Sequence, residues 1–131
     1  MRHVVRFPDP AEPAAHKIKK TEGVPTIALT RNPDILLDVA REREKTGMPA
    51  VVVGFAAESQ DLLQNARTKL ERKGLSMIVA NDIAAADAGF AVDTNRVTVL
   101  ADNGTEETLP LMSKAAVAEQ LVERIANRLG A

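Results

Sequence analysis

Lys17, Lys19 and Lys20 place three ammonium groups within the string KIKK, and Lys69 and Lys73 add a second pair four residues apart. An ammonium cluster on a proline-flanked arm can fold over a polyphosphate and neutralise the charge that develops during nucleotidyl transfer. Lysines at i and i+4 share one face of a helix, where they can hold two phosphate groups of one ligand. Both patterns also occur as plain solvated surface, so residue type and spacing alone leave two readings open. Phe55 follows Gly54 at the end of an apolar run, placed either to lie against a nucleobase or to join the core.

Other chemistries are poorly supplied. The sequence has no cysteine, and its two histidines, His3 and His16, lie far apart in loop-like sequence. Thiolate nucleophiles, disulfides, a Ser–His–Asp arrangement and a metal held by protein side chains alone are therefore not expected. The dinucleotide fingerprint and the P-loop are also absent from the sequence. Seventeen basic and eighteen acidic residues give a net charge of -1, and aromatic residues make up 2% of the chain. Neither a field for a polyanion nor a stacking ladder is present, so a nucleic-acid partner is not expected. No apolar run approaches the roughly 20 residues that span a bilayer, and the start MRHVVRFPDPAEP lacks a signal-peptide core. A cytoplasmic protein with no membrane partner is expected.

These candidates need elements to position them. Pro8, Pro10, Pro13 and Pro25 punctuate the first residues, so 1–25 is read as a mobile basic arm. Residues 26–30, TIALT, suit a short strand, and Asn32-Pro33 reads as an N-cap followed by proline at the first helical position. The continuous apolar run 50–57 suits a central parallel strand covered on both faces. Leu62, Leu63, Ala66 and Leu70 recur at helical spacing and end on Gly74, and LSMIVA (75–80) supplies another buried strand. Residues 83–89 mix helix-favouring alanines with aspartate and glycine and are read as irregular. Asp102-Asn103-Gly104 between extended runs signals a hairpin, and Ser113 should cap a last helix carrying Val117, Leu121, Ile125 and Leu129 and ending at Gly130. Alternating strands and helices predict an α/β, Rossmann-like three-layer sandwich with a mostly parallel sheet, plus a C-terminal β-hairpin and helix. In such a sheet ligands bind beyond the C-terminal strand ends, here the turns after residues 30, 55 and 80.

Taken in order, KIKK (17–20), NPDIL (32–36), VVVGFAAES (51–59), NARTKLERKG (65–74), IVAND (78–82) and SK (113–114) resemble the C-terminal half of the phosphopantothenate–cysteine ligase family. Residues 26–131 would then be the C-terminal half of a nucleotide-binding α/β ligase domain. The resemblance implies a step in coenzyme A biosynthesis. In the reaction so implied, the 4'-phosphopantothenate carboxylate would attack the α-phosphate of CTP to give an acyl-cytidylate and pyrophosphate, and the cysteine amine would then displace CMP. It implies magnesium held mainly by phosphate oxygens, no FMN in this chain, and a homodimer. By matching positions, Lys17 would stabilise the reacting phosphates, Lys69 and Lys73 would bind the triphosphate, and Pro33, Asp34, Ile35, Leu36 and Phe55 would line the nucleotide pocket. Phe7 stands where the family has an aspartate, Ser59 where threonine is usual, and Ser76 where aspartate is common. The family's N-terminal half, with a glycine-rich turn and a T-N-x-S-S-G element, has no counterpart in this sequence. A fragment or truncated relative is therefore expected, weakly active or inactive alone, with that half or a decarboxylase domain as a partner. The rival reading is a non-catalytic nucleotide-binding or assembly module derived from the ligase.

Overall fold

The structure is a computed structural model that describes residues 26–84 and 93–130. Its elements run α1 (Ile35–Thr46), β1 (Val53–Glu58), α2 (Leu62–Arg72), β2 (Met77–Asp82), β3 (Thr94–Asn95), β4 (Val97–Ala101), β5 (Glu106–Thr108), β6 (Met112–Ser113) and α3 (Lys114–Arg128). The chain divides into two units, Met1–Ile35 and Leu36–Ala131. In the first, Ile27 and Leu29 are exposed, and among its described residues only Leu29 sits in a bridge. The strand expected over residues 26–30 does not form as a ladder among the described residues. β-branched composition favours a pleated surface, but a strand needs a paired neighbour along its length. The first helix begins at Ile35, two residues after the expected Pro33 start.

The second unit is built on a four-stranded sheet of order β1-β2-β4-β5. β1 and β2 are parallel, with Val53 opposite Met77 and Glu58 opposite Asp82, joined through α2 as an α/β crossover requires. Beyond β2 the sheet continues antiparallel, because β4 and β5 form the hairpin signalled by Asp102-Asn103-Gly104. The α/β class, the hairpin and the final helix are as the sequence indicates, and the described sheet is mixed. Among the described strands β1 is an edge, not the central strand expected from its apolar run; β2 and β4 are central. Composition could not separate these cases, since the run supplies apolar groups to both faces while leaving Phe55 and Ala57 exposed.

Two apolar clusters fill the faces and make three layers. On one face Val52, Ala56, Ile78 and Leu100 meet Ala66 and Leu70 of α2, with Leu36 and Val39 of α1 packed alongside. On the other, Met77, Val79, Val97 and Val99 meet Val117 and Leu121 of α3. Gly54 is required by this packing. A Cβ there would stand 2.6 Å from Leu75 Cδ1, closer than side-chain carbons approach. Ser76, fully buried, locks the starts of β1 and β2 together: its Oγ accepts from Val52 N–H at 3.1 Å, and its own N–H donates to Val52 C=O at 2.9 Å. The residue standing where the resembled family commonly has aspartate is thus a neutral acceptor for a backbone donor.

The helix ends follow the expected chemistry. Gly74, at φ +57, turns the chain after α2, and Leu75 N–H reaches back to Leu70 C=O at 3.0 Å. Ser113 caps α3, its Oγ accepting from Ala116 N–H at 3.1 Å. Residues 85–92, which include most of the stretch expected to be irregular, lie outside the described residues, as do 1–25.

Candidate functional site

The C-terminal end of the parallel pair is where topology directs a ligand. Strand alternation places Gly54, Ala56 and Glu58 on the α2 face of β1, in keeping with Ala56 packing beneath α2. The chain then turns through Asp61 at φ 48, ψ 40, a left-handed conformation that aspartate tolerates, and enters α2. Along that helix Asn65 and Lys69 lie one above the other, and both point back toward the helix start. The outcome is a three-residue cluster. Glu58 Oε1 accepts from Lys69 Nζ, and Glu58 Oε2 accepts from Asn65 Nδ2 at 3.3 Å. Asn65 Nδ2 also donates to Gln60 C=O at 3.1 Å. The Glu58 side chain is 13% exposed and that of Lys69 45%, so the ammonium has a carboxylate behind it and water in front. Beside it, Ile83 N–H donates to Glu58 C=O at 3.1 Å, and Asp82 Oδ1 accepts from Ala84 N–H at 3.0 Å.

The other expected site residues distribute unevenly. Lys73 is the C-cap of α2, partly buried, its N–H bonded to Lys69 C=O at 3.0 Å. Four residues of helix put it about 6 Å farther from the strand end than Lys69. Phe55 is exposed on the opposite face of β1 from Glu58, the face to which Val53 contributes beside the α3 cluster. The structure therefore joins Lys69 to the strand end but does not put Phe55 on the lysine face. Leu36 packs against the α2-side core. Pro33, Asp34 and Ile35 belong to the first unit, where Pro33 and Ile35 are exposed. Lys17, with the rest of KIKK and Phe7, lies outside the described residues. Glu58 and Asn65 carried no role in the sequence reading, although both stand inside the strings that bear the family resemblance. A charged residue closing an apolar strand, with a lysine on the following helix, is the signal that could have found them.

A cavity of about 380 Å³ lies at the other end of the sheet, lined among others by Arg43, Arg67, Leu75, Asp102 and Glu106. Its walls are internally paired. Arg67 Nη2 meets Glu106 Oε2 at 2.6 Å, and Arg43 donates to Gly74 C=O and Ala50 C=O, each at 3.0 Å. Asp102 binds Arg128, and this hydrogen bond holds its carboxyl below the ordinary value of 3.8; burial works against that shift, while the charges of Arg128 and Arg43 reinforce it. Among the described residues no cluster of three or more His, Cys, Asp or Glu is placed to hold a metal ion, and no helix is long and apolar enough to cross a membrane.

Residues 8–129 match the family model described as the DNA/pantothenate metabolism flavoprotein C-terminal domain. The chain is 43% identical over 111 residues to the coenzyme A biosynthesis bifunctional protein CoaBC of Bacillus subtilis (strain 168), covering 85% of this chain and 26% of that protein. To the protein of the same name from Mycobacterium tuberculosis (strain ATCC 25618 / H37Rv) it is 44% identical over 123 residues, covering 88% and 29%. A crystal structure of the C-terminal domain of a CoaBC protein superposes with a TM-score of 0.64 at 36% identity, over 79% of this chain and 48% of that one. The DNA/pantothenate metabolism flavoprotein from Streptococcus pneumoniae shares the fold, with a TM-score of 0.64 at 24% identity, over 85% and 45%. The chain thus spans under a third of the length of these two curated relatives.

Proposed function

The chain belongs to the DNA/pantothenate metabolism flavoprotein C-terminal domain family, and from that premise we propose that it forms part of a coenzyme A biosynthesis ligase that uses CTP to join cysteine to 4'-phosphopantothenate. The 4'-phosphopantothenate carboxylate attacks the α-phosphorus of CTP, pyrophosphate leaves, and the cysteine amine then takes the acyl group and releases CMP. The observation that carries this reading is the Lys69 ammonium, anchored by Glu58 at the C-terminal end of β1 with its outer side toward solvent. An ammonium fixed where a triphosphate lands needs little reorganisation as charge shifts onto the leaving pyrophosphate.

Lys73 extends the same helix face and contributes a second cation for the phosphates. Lys17 supplies charge at the reacting phosphate, and Pro33, Asp34, Ile35, Leu36 and Phe55 line the nucleotide pocket. Magnesium, held mainly by the phosphate oxygens of the nucleotide, would supply further neutralisation of the triphosphate charge. A homodimer, and the remaining parts of the longer relatives, complete the set of partners in this reading.

Calorimetric titration of CTP with magnesium, and of ATP as control, into the wild-type chain and a Lys69→Ala/Lys73→Ala variant tests the assignment. CTP-selective binding that weakens by about a hundredfold in the variant is expected, as loss of two charge-assisted contacts implies. Equal binding by both proteins would remove the lysines from the site, and no binding by either would remove the nucleotide reading for this chain.

A further inference from the structure

We propose that Glu58 is a positioning residue for the phosphate site, fixing the Lys69 ammonium at the C-terminal end of β1 so that its remaining donors face the ligand. This rests on the reading of Lys69 as a triphosphate contact. A lysine is a point charge on a flexible four-carbon stem, and left alone it loses considerable rotamer freedom when it grips an anion. Here the Glu58 carboxylate already restricts that freedom. Glu58 is the more buried member of the pair, with 13% of its side chain exposed against 45% for Lys69, so the carboxylate is the anchor and the ammonium the exposed end.

The carboxylate is itself held in orientation. Its second oxygen accepts from Asn65 Nδ2 at 3.3 Å, and the same amide nitrogen donates to Gln60 C=O at 3.1 Å. Rotation of the carboxylate away from Lys69 would break the Asn65 contact. An ammonium has three donors; with one given to Glu58 Oε1, two can reach phosphate oxygens. The strand end, the first two turns of α2 and the intervening turn thus act as one bracket for a single cation.

The negative charge of Glu58 opposes a phosphate, so its benefit is geometric. The test must therefore move the carboxylate without removing its charge. Glu58→Asp does this, withdrawing the anchor by one methylene, about 1.5 Å. The wild-type chain, Glu58→Asp, Lys69→Met and the double variant are titrated with inorganic triphosphate and with CTP, each with magnesium, and their thermal unfolding is measured in parallel. Expected are a roughly tenfold loss of affinity for both ligands in Glu58→Asp, a larger loss in Lys69→Met, and a double variant no weaker than Lys69→Met.

Wild-type affinity in Glu58→Asp, or an equal loss from Glu58→Asp on the Lys69→Met background, overturns the positioning role while leaving Lys69 in the site. Undiminished binding by Lys69→Met, or none by the wild-type chain, overturns the phosphate reading and this proposal with it. Should Glu58→Asp fail to fold, the exposed Asn65→Ala carries the test: a loss of about threefold supports the bracket, and no loss overturns it.

Discussion

Removing one hydroxyl, by Ser76→Ala, should destabilise the protein as much as many core truncations do. Ser76 is 0% exposed, and its Oγ is the acceptor for Val52 N–H at 3.1 Å, just before β1 begins. Alanine fits the space but leaves that amide buried without its acceptor, a loss of about 1–3 kcal/mol. The neighbouring bonds from Ser76 N–H and Met77 N–H to Val52 C=O, at 2.9 and 3.3 Å, survive and limit the damage. At this chain length 1 kcal/mol corresponds to about 4 °C in Tm, so a fall of about 4–12 °C is expected. Urea unfolding should show a lower midpoint with an unchanged slope, because the surface exposed on unfolding is nearly the same. Amide exchange at Val52 should accelerate more than at the centre of β2. A stability change under about 0.5 kcal/mol, the range of ordinary surface substitutions, would refute the claim that this hydroxyl holds the two strand starts together.

Two further perturbations follow from the packing and the ion pairs. Gly54→Ala puts a Cβ 2.6 Å from Leu75 Cδ1, in a core where Leu75 is 3% exposed; a destabilisation of about 1–3 kcal/mol is expected by urea titration, and wild-type stability would show that Leu75 repacks freely. Asp102, with its folded-state pKa depressed by Arg128, contributes stability above the ordinary carboxylate range that is lost as pH falls through the lowered value; the acid limb of a stability–pH curve should flatten in Asp102→Asn, and an identical limb would deny the pair any role.

The fold was largely legible because its signals are local. The hairpin at Asp102-Asn103-Gly104, the Gly74 terminus of α2 and the Ser113 cap each depend on residues within a few positions, and each forms where read. What escaped depends on pairing at a distance. Residues 50–57 are apolar whether β1 is central or at an edge, and the decision rests on whether a strand takes the other side of β1, which among the described strands none does. Residues 26–30 have strand composition, yet a ladder requires a neighbour that composition does not name. Ser76 illustrates the same limit in a single side chain: it serves as acceptor for the N–H of Val52, twenty-four positions earlier, a contact that no local pattern names.

The candidate site was legible as residue types and less so as geometry. Spacing puts Lys69 and Lys73 on one helix face, and that much holds, but a lysine is defined by what stands behind it. Lys69 has Glu58. Lys73 ends α2, where the helix dipole itself attracts a cation, so a phosphate approaching Lys73 competes with backbone carbonyls already favourable to it. Phe55 adds a constraint that no pattern of apolar residues could reveal. Because side chains alternate along β1, Phe55 and Glu58 occupy opposite faces. A nucleotide that touches both Phe55 and Lys69 must pass around the β1 edge or over its end, base to one side and phosphates to the other. The path over the strand end is open whether a strand is central or at an edge, so the alternation along β1, rather than its place in the sheet, is what divides the proposed contacts between two faces.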